Sequence, residues 1–169
     1  SDAAKTKPVN GSERYNVYSC SKPITVTAAM RLFERGKFNL EDKISDYLPE
    51  FAEMTVNDKG TIRPAKRRIT IRDLLSMQAG LTYNLGSGSI KLGQKETNGR
   101  CPTREMMKYI ARDPLAFDPG ERYNYSLCHD VIAALVEVIS GERFGEYVKK
   151  TIFEPLGMEN STFLPAGEE

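Results

Sequence analysis

The chain has 169 residues, 40% of them hydrophobic and 28% charged, with 13 Gly and 9 Pro; this is the composition of one globular domain and excludes disordered and fibrous classes. Twenty-four Lys and Arg against 23 Asp and Glu leave a formal charge of +1, so the basic footprint of a nucleic-acid binder or polybasic membrane anchor is missing and partners are expected to be small or neutral. Cys20, Cys101 and Cys128 are too few and scattered for a disulfide framework or thiolate zinc site, though one pair is open, and the single histidine, His129, excludes multi-histidine metal sites; no metal or cofactor is expected.

In chain order, the first strong helix signal follows Ser19. Apolar residues from Ile24 to Phe33 cover most of a helix circumference between Lys22 and Arg35, which predicts packing on several sides. Pro23 fits the first turn and Gly36 the stop. A short segment, Leu40 to Tyr47, ends at Pro49. Alternation in Thr61-Ile62-Arg63 and Arg68-Ile69-Thr70 predicts a small hairpin within 57–70, with its basic run Lys66-Arg67-Arg68 solvated. Ile71 to Met77 reads as a short helix stopped at Gly80. Four glycines between Asn84 and Gly99 predict a long loop, Thr103 caps a helix reaching Ala111, and Asp118-Pro119-Gly120 is a turn. The most apolar stretch, Leu127 to Ile139, predicts a second buried helix stopped at Gly141, and a last amphipathic helix spans Phe144 to Phe153. No apolar run approaches the roughly 20 residues that span a bilayer, and the N-terminus lacks the apolar stretch of a signal peptide. The sum is mainly helical with one hairpin.

Ser19-Cys20-Ser21-Lys22 is a Ser-x-x-Lys step at the mouth of the first buried helix. Eleven serines and twelve lysines would produce about one such spacing by chance, so its position carries the weight. A serine there sits beside the positive end of the helix dipole, and a lysine three residues on lies on the same face. Such a lysine takes a serine proton only where its surroundings lower its affinity for its own, and a helix packed on several sides could do so. A serine N-cap followed by a solvated lysine fits the same spacing. Tyr125, just before the second buried helix, is a candidate acid or base, although a tyrosine there could equally cap the core; Ser126 is a candidate N-cap. His129 inside an apolar helix, with no Gly-x-Ser-x-Gly elbow in the chain, reads as a core or surface residue, and Cys20 reads as packing.

Together these segments resemble the serine beta-lactamase-like family of class C beta-lactamases, D-alanyl-D-alanine carboxypeptidases and related esterases. The resemblance is carried by Tyr18-Ser19-Cys20-Ser21-Lys22-Pro23, then Leu32-Phe33-Glu34-Arg35-Gly36-Lys37, Asp46-Tyr47-Leu48-Pro49 and Ile69-Thr70-Ile71-Arg72-Asp73-Leu74-Leu75. Phe117-Asp118-Pro119-Gly120 through Tyr125-Ser126 and Phe153-Glu154-Pro155-Leu156-Gly157-Met158 complete it in the family's order. It implies that Ser19 is an acylated nucleophile, Lys22 its proton partner, and Tyr125 the group that activates the serine or protonates the leaving group. Where many members have Tyr-x-Asn this chain has Tyr125-Ser126-Leu127, which speaks against lactamase activity more than against hydrolysis; Met77 and Ala79 stand where relatives often carry His and Ser.

The family also pairs its helices with an antiparallel sheet bearing Lys-Thr-Gly or His-x-Gly, and neither motif occurs here. The chain is therefore expected to be one helical domain, residues 1–169, from the middle of a larger α+β hydrolase, inactive alone and prone to self-association through the face such a sheet would cover. The expected function is a serine acyl-hydrolase acting through an acyl-enzyme on a small amide or ester, with no nucleic-acid or membrane partner. The alternative is a non-catalytic module that uses the same cleft to bind or sense a ligand.

Overall fold

A computed structural model describes residues 15–163 together with Pro8, Gly11 and Glu13. A single 3-10 turn, Tyr18–Cys20, leads into helix α1, Ser21–Glu34, with Pro23 in its first turn and Gly36 at φ 65° beyond its end. Thr25, Ala28, Ala29 and Leu32 form its buried stripe, while Ile24, Val26, Met30 and Phe33 are only half-buried. The stripe is narrower than the apolar pattern predicts, because among the described residues the other flank of α1 meets no second layer.

Two 3-10 turns, Ile44–Asp46 and Pro49–Phe51, precede the hairpin of β1, Thr55–Asp58, and β2, Thr61–Pro64. Thr55 pairs with Pro64 and Asp58 with Thr61, around Lys59 and Gly60 at φ 51° and 96°. Two left-handed residues match the twist of the strands. The hairpin thus lies earlier than predicted, and Arg68–Thr70 is not a strand. Thr70 bridges to Lys43 and begins α2, Ile71–Leu75, through a reciprocal cap with Asp73. This helix ends before Met77, which adopts φ 56°.

The predicted loop at 84–99 is instead largely α3, Gly88–Glu96, capped by Ser87, whose hydroxyl accepts from the Ile90 N–H at 3.2 Å. Gly93 does not break it. A Cβ there would come 2.7 Å from the Tyr109 ring and 2.8 Å from Met106, so this glycine lets α3 approach α4, Thr103–Ile110. Thr103 is the first residue of α4 and Pro102 takes the cap position.

Helix α5, Cys128–Ser140, is the central rod, stopped by Gly141 at φ 72°. Its residues Val131 to Val136 are all buried, against α1, α2, α4 and α6. Full burial of side chains such as Ile132 and Leu135 contributes about 1.5–3 kcal/mol each. The last predicted helix is broken into α6, Phe144–Val148, and a π-helical turn Lys149–Phe153, and a 3-10 turn Glu154–Leu156 follows it. The fold is mainly α, and the only sheet among the described residues has two strands.

The basic run is exposed, as expected, but two of its members are also tethered: Arg67 donates to Asp73 at 2.7 and 2.8 Å, and Lys66 donates to Asp118 through its backbone N–H at 2.7 Å. Both carboxylates are buried and need those partners. Cys20 is exposed rather than packed, and all three cysteines are free.

Candidate active site

Ser19 lies in the 3-10 turn before α1, so its position is fixed by the helix entry rather than by a strand. Lys22, in the first turn of α1, places Nζ 3.4 Å from Ser19 Oγ. Tyr125 arrives from 106 residues away, on the irregular segment between the turn at Gly120 and α5, with Oη 2.5 Å from the same Oγ. The structure therefore brings the three sequence candidates together at one oxygen.

Backbone bonds hold the tyrosine segment against residues 77–82. The N–H groups of Gly120, Asn124 and Leu127 donate to the carbonyls of Gln78, Met77 and Thr82 at 2.8, 2.9 and 3.3 Å. Beneath it, Asp118 accepts two bonds from Arg63 at 3.2 and 2.7 Å. Ser126, a candidate cap, is fully buried and donates to Cys128 Sγ at 3.0 Å, leaving the cap position to Leu127.

Tyr83 is the member of the cluster that the sequence reading missed. Its ring centroid lies 5.4 Å from that of Tyr125, and Lys22 Nζ stands 5.5 Å from one ring and 4.8 Å from the other. The signal was faint: an aromatic three residues after Gly80, in a stretch with no periodicity. Both rings are partly exposed, Tyr83 by 46% and Tyr125 by 40%.

These contacts set the protonation pattern. Burial acts to lower the Lys22 pKa but is outweighed by the hydrogen bond and charge of Tyr125 and by Tyr83 and Asp130, so the ammonium is held above the usual lysine range. The hydrogen bonds with Lys22 and then Ser19 draw the Tyr125 phenol below its usual range, against burial. The expected lowering of the lysine is thus reversed, because a phenol partner favours its charged form.

His129 faces the same groove of about 490 Å³, but its Nε2–H donates to the Leu75 carbonyl at 3.3 Å and burial keeps its pKa low. Apolar side chains including Leu85, Ile90, Met106 and Leu127 line that groove beside Ser19 and Lys22. Among the described residues no group of three His, Cys, Asp or Glu could hold a metal ion, and no helix is long and apolar enough to cross a membrane.

A serine oxygen with an amine and a phenol converging on it, at the mouth of a helix packed on an apolar rod, is the arrangement the beta-lactamase-like resemblance anticipates. The chain belongs to the beta-lactamase family, whose model matches residues 1–169. It is 32% identical to an uncharacterized protein of Mycobacterium tuberculosis, over 95% of this chain and 42% of that one. It is 30% identical to the esterase EstB of Burkholderia gladioli, over 99% of this chain and 43% of that one. Among solved structures it is similar to EstCE1, described as a hydrolase with promiscuous acyltransferase activity, with a TM-score of 0.64 and 31% identity over 82% of this chain and 36% of that one. The chain spans about two fifths of the length of these two curated relatives.

Proposed function

We propose that Ser19 is the nucleophile of an ester hydrolase that works through an acyl-enzyme, with Tyr125 as its general base and Lys22 as the cation that keeps Tyr125 ionisable. The observation that carries this reading is the meeting of Tyr125 Oη and Lys22 Nζ at Ser19 Oγ, at 2.5 and 3.4 Å. In the productive state the phenolate accepts the serine proton as Oγ attacks the ester carbonyl. The phenol then returns that proton to the departing alcohol, leaving an ester on Ser19. Water attacks this acyl group, Tyr125 takes one of its protons, and the carboxylic acid leaves as Ser19 is reprotonated. The dipole of α1, positive at the end beside Ser19, favours negative charge developing there.

Leu127 supports esters over beta-lactams and peptides, because a buried apolar side chain has no amide with which to hold an amide substrate. The proposal extends to the whole protein: these residues form one helical domain of a larger α+β hydrolase, and turnover belongs to the full-length protein. The resemblance implies that the second oxyanion donor is a backbone N–H on a strand of the family's sheet, and among the described residues the only sheet is the β1–β2 hairpin. Ser19 is exposed, and loss of one such donor costs on the order of 100-fold to 1000-fold, so the 169 residues alone are expected to be nearly or wholly inactive. Self-association through uncovered apolar surface is part of the same reading, and light scattering of the isolated chain reads it.

The test is mass spectrometry of the full-length protein after exposure to a fluorophosphonate and to p-nitrophenyl acetate. An adduct on Ser19 that disappears in Ser19→Ala supports the reading, and a folded protein that stays unmodified overturns it. Leu127 also favours a module that binds without turnover; stoichiometric ligand binding unchanged in Ser19→Ala, with no adduct, would establish that second reading instead.

A further inference from the structure

We propose that Asn124 is a positioning residue: its side-chain amide, bridging to the Leu81 carbonyl, sets the spacing of the Tyr83 and Tyr125 rings about Lys22. The inference rests on the reading of Tyr125 as the base and adds a residue that touches neither substrate nor Ser19.

The bridge is Asn124 Nδ2 donating to Leu81 O at 2.8 Å, across 43 residues of sequence. Each partner sits close to one of the two rings, Asn124 next to Tyr125 and Leu81 two residues before Tyr83. The Asn124 backbone N–H bonds Met77 O at 2.9 Å, so this single residue ties the tyrosine segment at two points. Neither ring lies in a helix or strand that would fix it otherwise. Both are partly exposed, so packing alone holds them weakly. Lys22 sits 5.5 and 4.8 Å from the two centroids, distances at which a cation is attracted by ring faces, and small changes in spacing alter that attraction.

The ionisable groups around Tyr125 are Lys22 from α1, Tyr83 from the facing segment and Asp130 with His129 from the start of α5, with the Ser19 hydroxyl completing the set. Lys22 is the cation among them that favours the phenolate. Loosening the bridge moves Tyr125 from Lys22 and Ser19 without removing either.

Asn124→Asp keeps the shape and removes the N–H donor, while Asn124→Gln keeps an amide on a longer arm. The rate of Ser19 acylation by p-nitrophenyl acetate is measured against pH in the full-length protein. Asn124→Asp is expected to lower the rate at pH 7 by about 100-fold, the loss a misplacement of about 1 Å can bring, with its acid limb displaced to higher pH and partial recovery in Asn124→Gln. Carbon-13 NMR of labelled tyrosine, assigned with Tyr125→Phe, reads the titration of Tyr125 itself and works without turnover. A Tyr125 titration that is the same in wild type and Asn124→Asp overturns the inference. Asn124→Ser, which adds no charge, is measured beside it and also serves if Asn124→Asp does not fold; a Tyr125 titration shifted in Asn124→Asp but unchanged in Asn124→Ser reports only the added carboxylate and overturns the inference. Absence of any Ser19 adduct in wild type would instead sink the proposed function and leave the titration to judge the positioning alone.

Discussion

Removing one oxygen, in Tyr125→Phe, separates the proposed base from everything else the tyrosine does. The ring stays, and because it is 40% exposed the fold loses little packing. Ser19 Oγ then keeps only Lys22 Nζ, at 3.4 Å, as a polar neighbour from this trio. Lys22 is a poor substitute: at pH 7 an ordinary lysine is protonated in nearly every molecule and has no lone pair with which to accept the serine proton. General base catalysis contributes about 100-fold to 10,000-fold, so the acylation rate should fall within that range and toward its upper end. This corresponds to about 3–5 kcal/mol of barrier. The pH profile should change as well. In wild type the rate rises as the lowered Tyr125 phenol ionises and falls again where the raised Lys22 ammonium loses its proton. In Tyr125→Phe the limb due to the phenol disappears. Burial, the largest influence on Lys22 and one that lowers its pKa, loses its main opponent, so any residual activity should rise as the Lys22 ammonium loses its proton, at lower pH than in wild type. Burst kinetics with p-nitrophenyl acetate in the full-length protein, together with intact mass of the acyl-enzyme, measure both quantities. A folded variant that loses less than tenfold, or keeps the wild-type pH profile, would refute the assignment of Tyr125 as base.

Asp73→Ala strips a buried carboxylate from four donor contacts, two from Arg67 and two from Thr70. The Arg67 side chain left behind is 44% exposed and rehydrates, so the cost is that of the lost cap and hydrogen bonds, about 1–3 kcal/mol, which by calorimetry should lower Tm by roughly 2–12 °C. The Arg67 and Thr70 bonds hold the Asp73 carboxyl below its usual range against burial, so its contribution is fully present above the unfolded pKa near 3.8 and is lost as pH falls through the lower folded value. Acid titration of wild type followed by circular dichroism should show a loss of stability below about pH 4 that Asp73→Asn reduces. Gly93→Ala should destabilise although alanine favours helices, because the new Cβ meets the buried Tyr109 ring at 2.7 Å; overpacking costs about 1–3 kcal/mol, read as a lower urea midpoint with unchanged slope. Leu127→Asn should increase Ser19 acylation by penicillin relative to p-nitrophenyl acetate in the full-length protein, as seen by mass spectrometry, if the buried apolar side chain is what disfavours amides.

The sequence by itself determined the elements whose cause is local. Apolar periodicity and a glycine stop located α1 and α5, and Ser19 and Lys22 are one helical turn apart wherever a helix forms. Family membership was legible for the same reason, since short motifs in fixed order survive in the chain without any contact being known. Tertiary structure decided the rest. Gly93 reads as a loop signal until the Tyr109 ring beside it is seen, and Lys66 and Arg67 read as solvated until Asp118 and Asp73 are found buried against them. Tyr83 joins the cluster through a turn that carries no periodic pattern. The charge on Lys22 was misjudged because a pKa depends on which groups face the ammonium, and the phenol that raises it is 103 residues away in sequence. Spacing along a chain reports what one helix turn brings together; it carries no record of distances closed by folding.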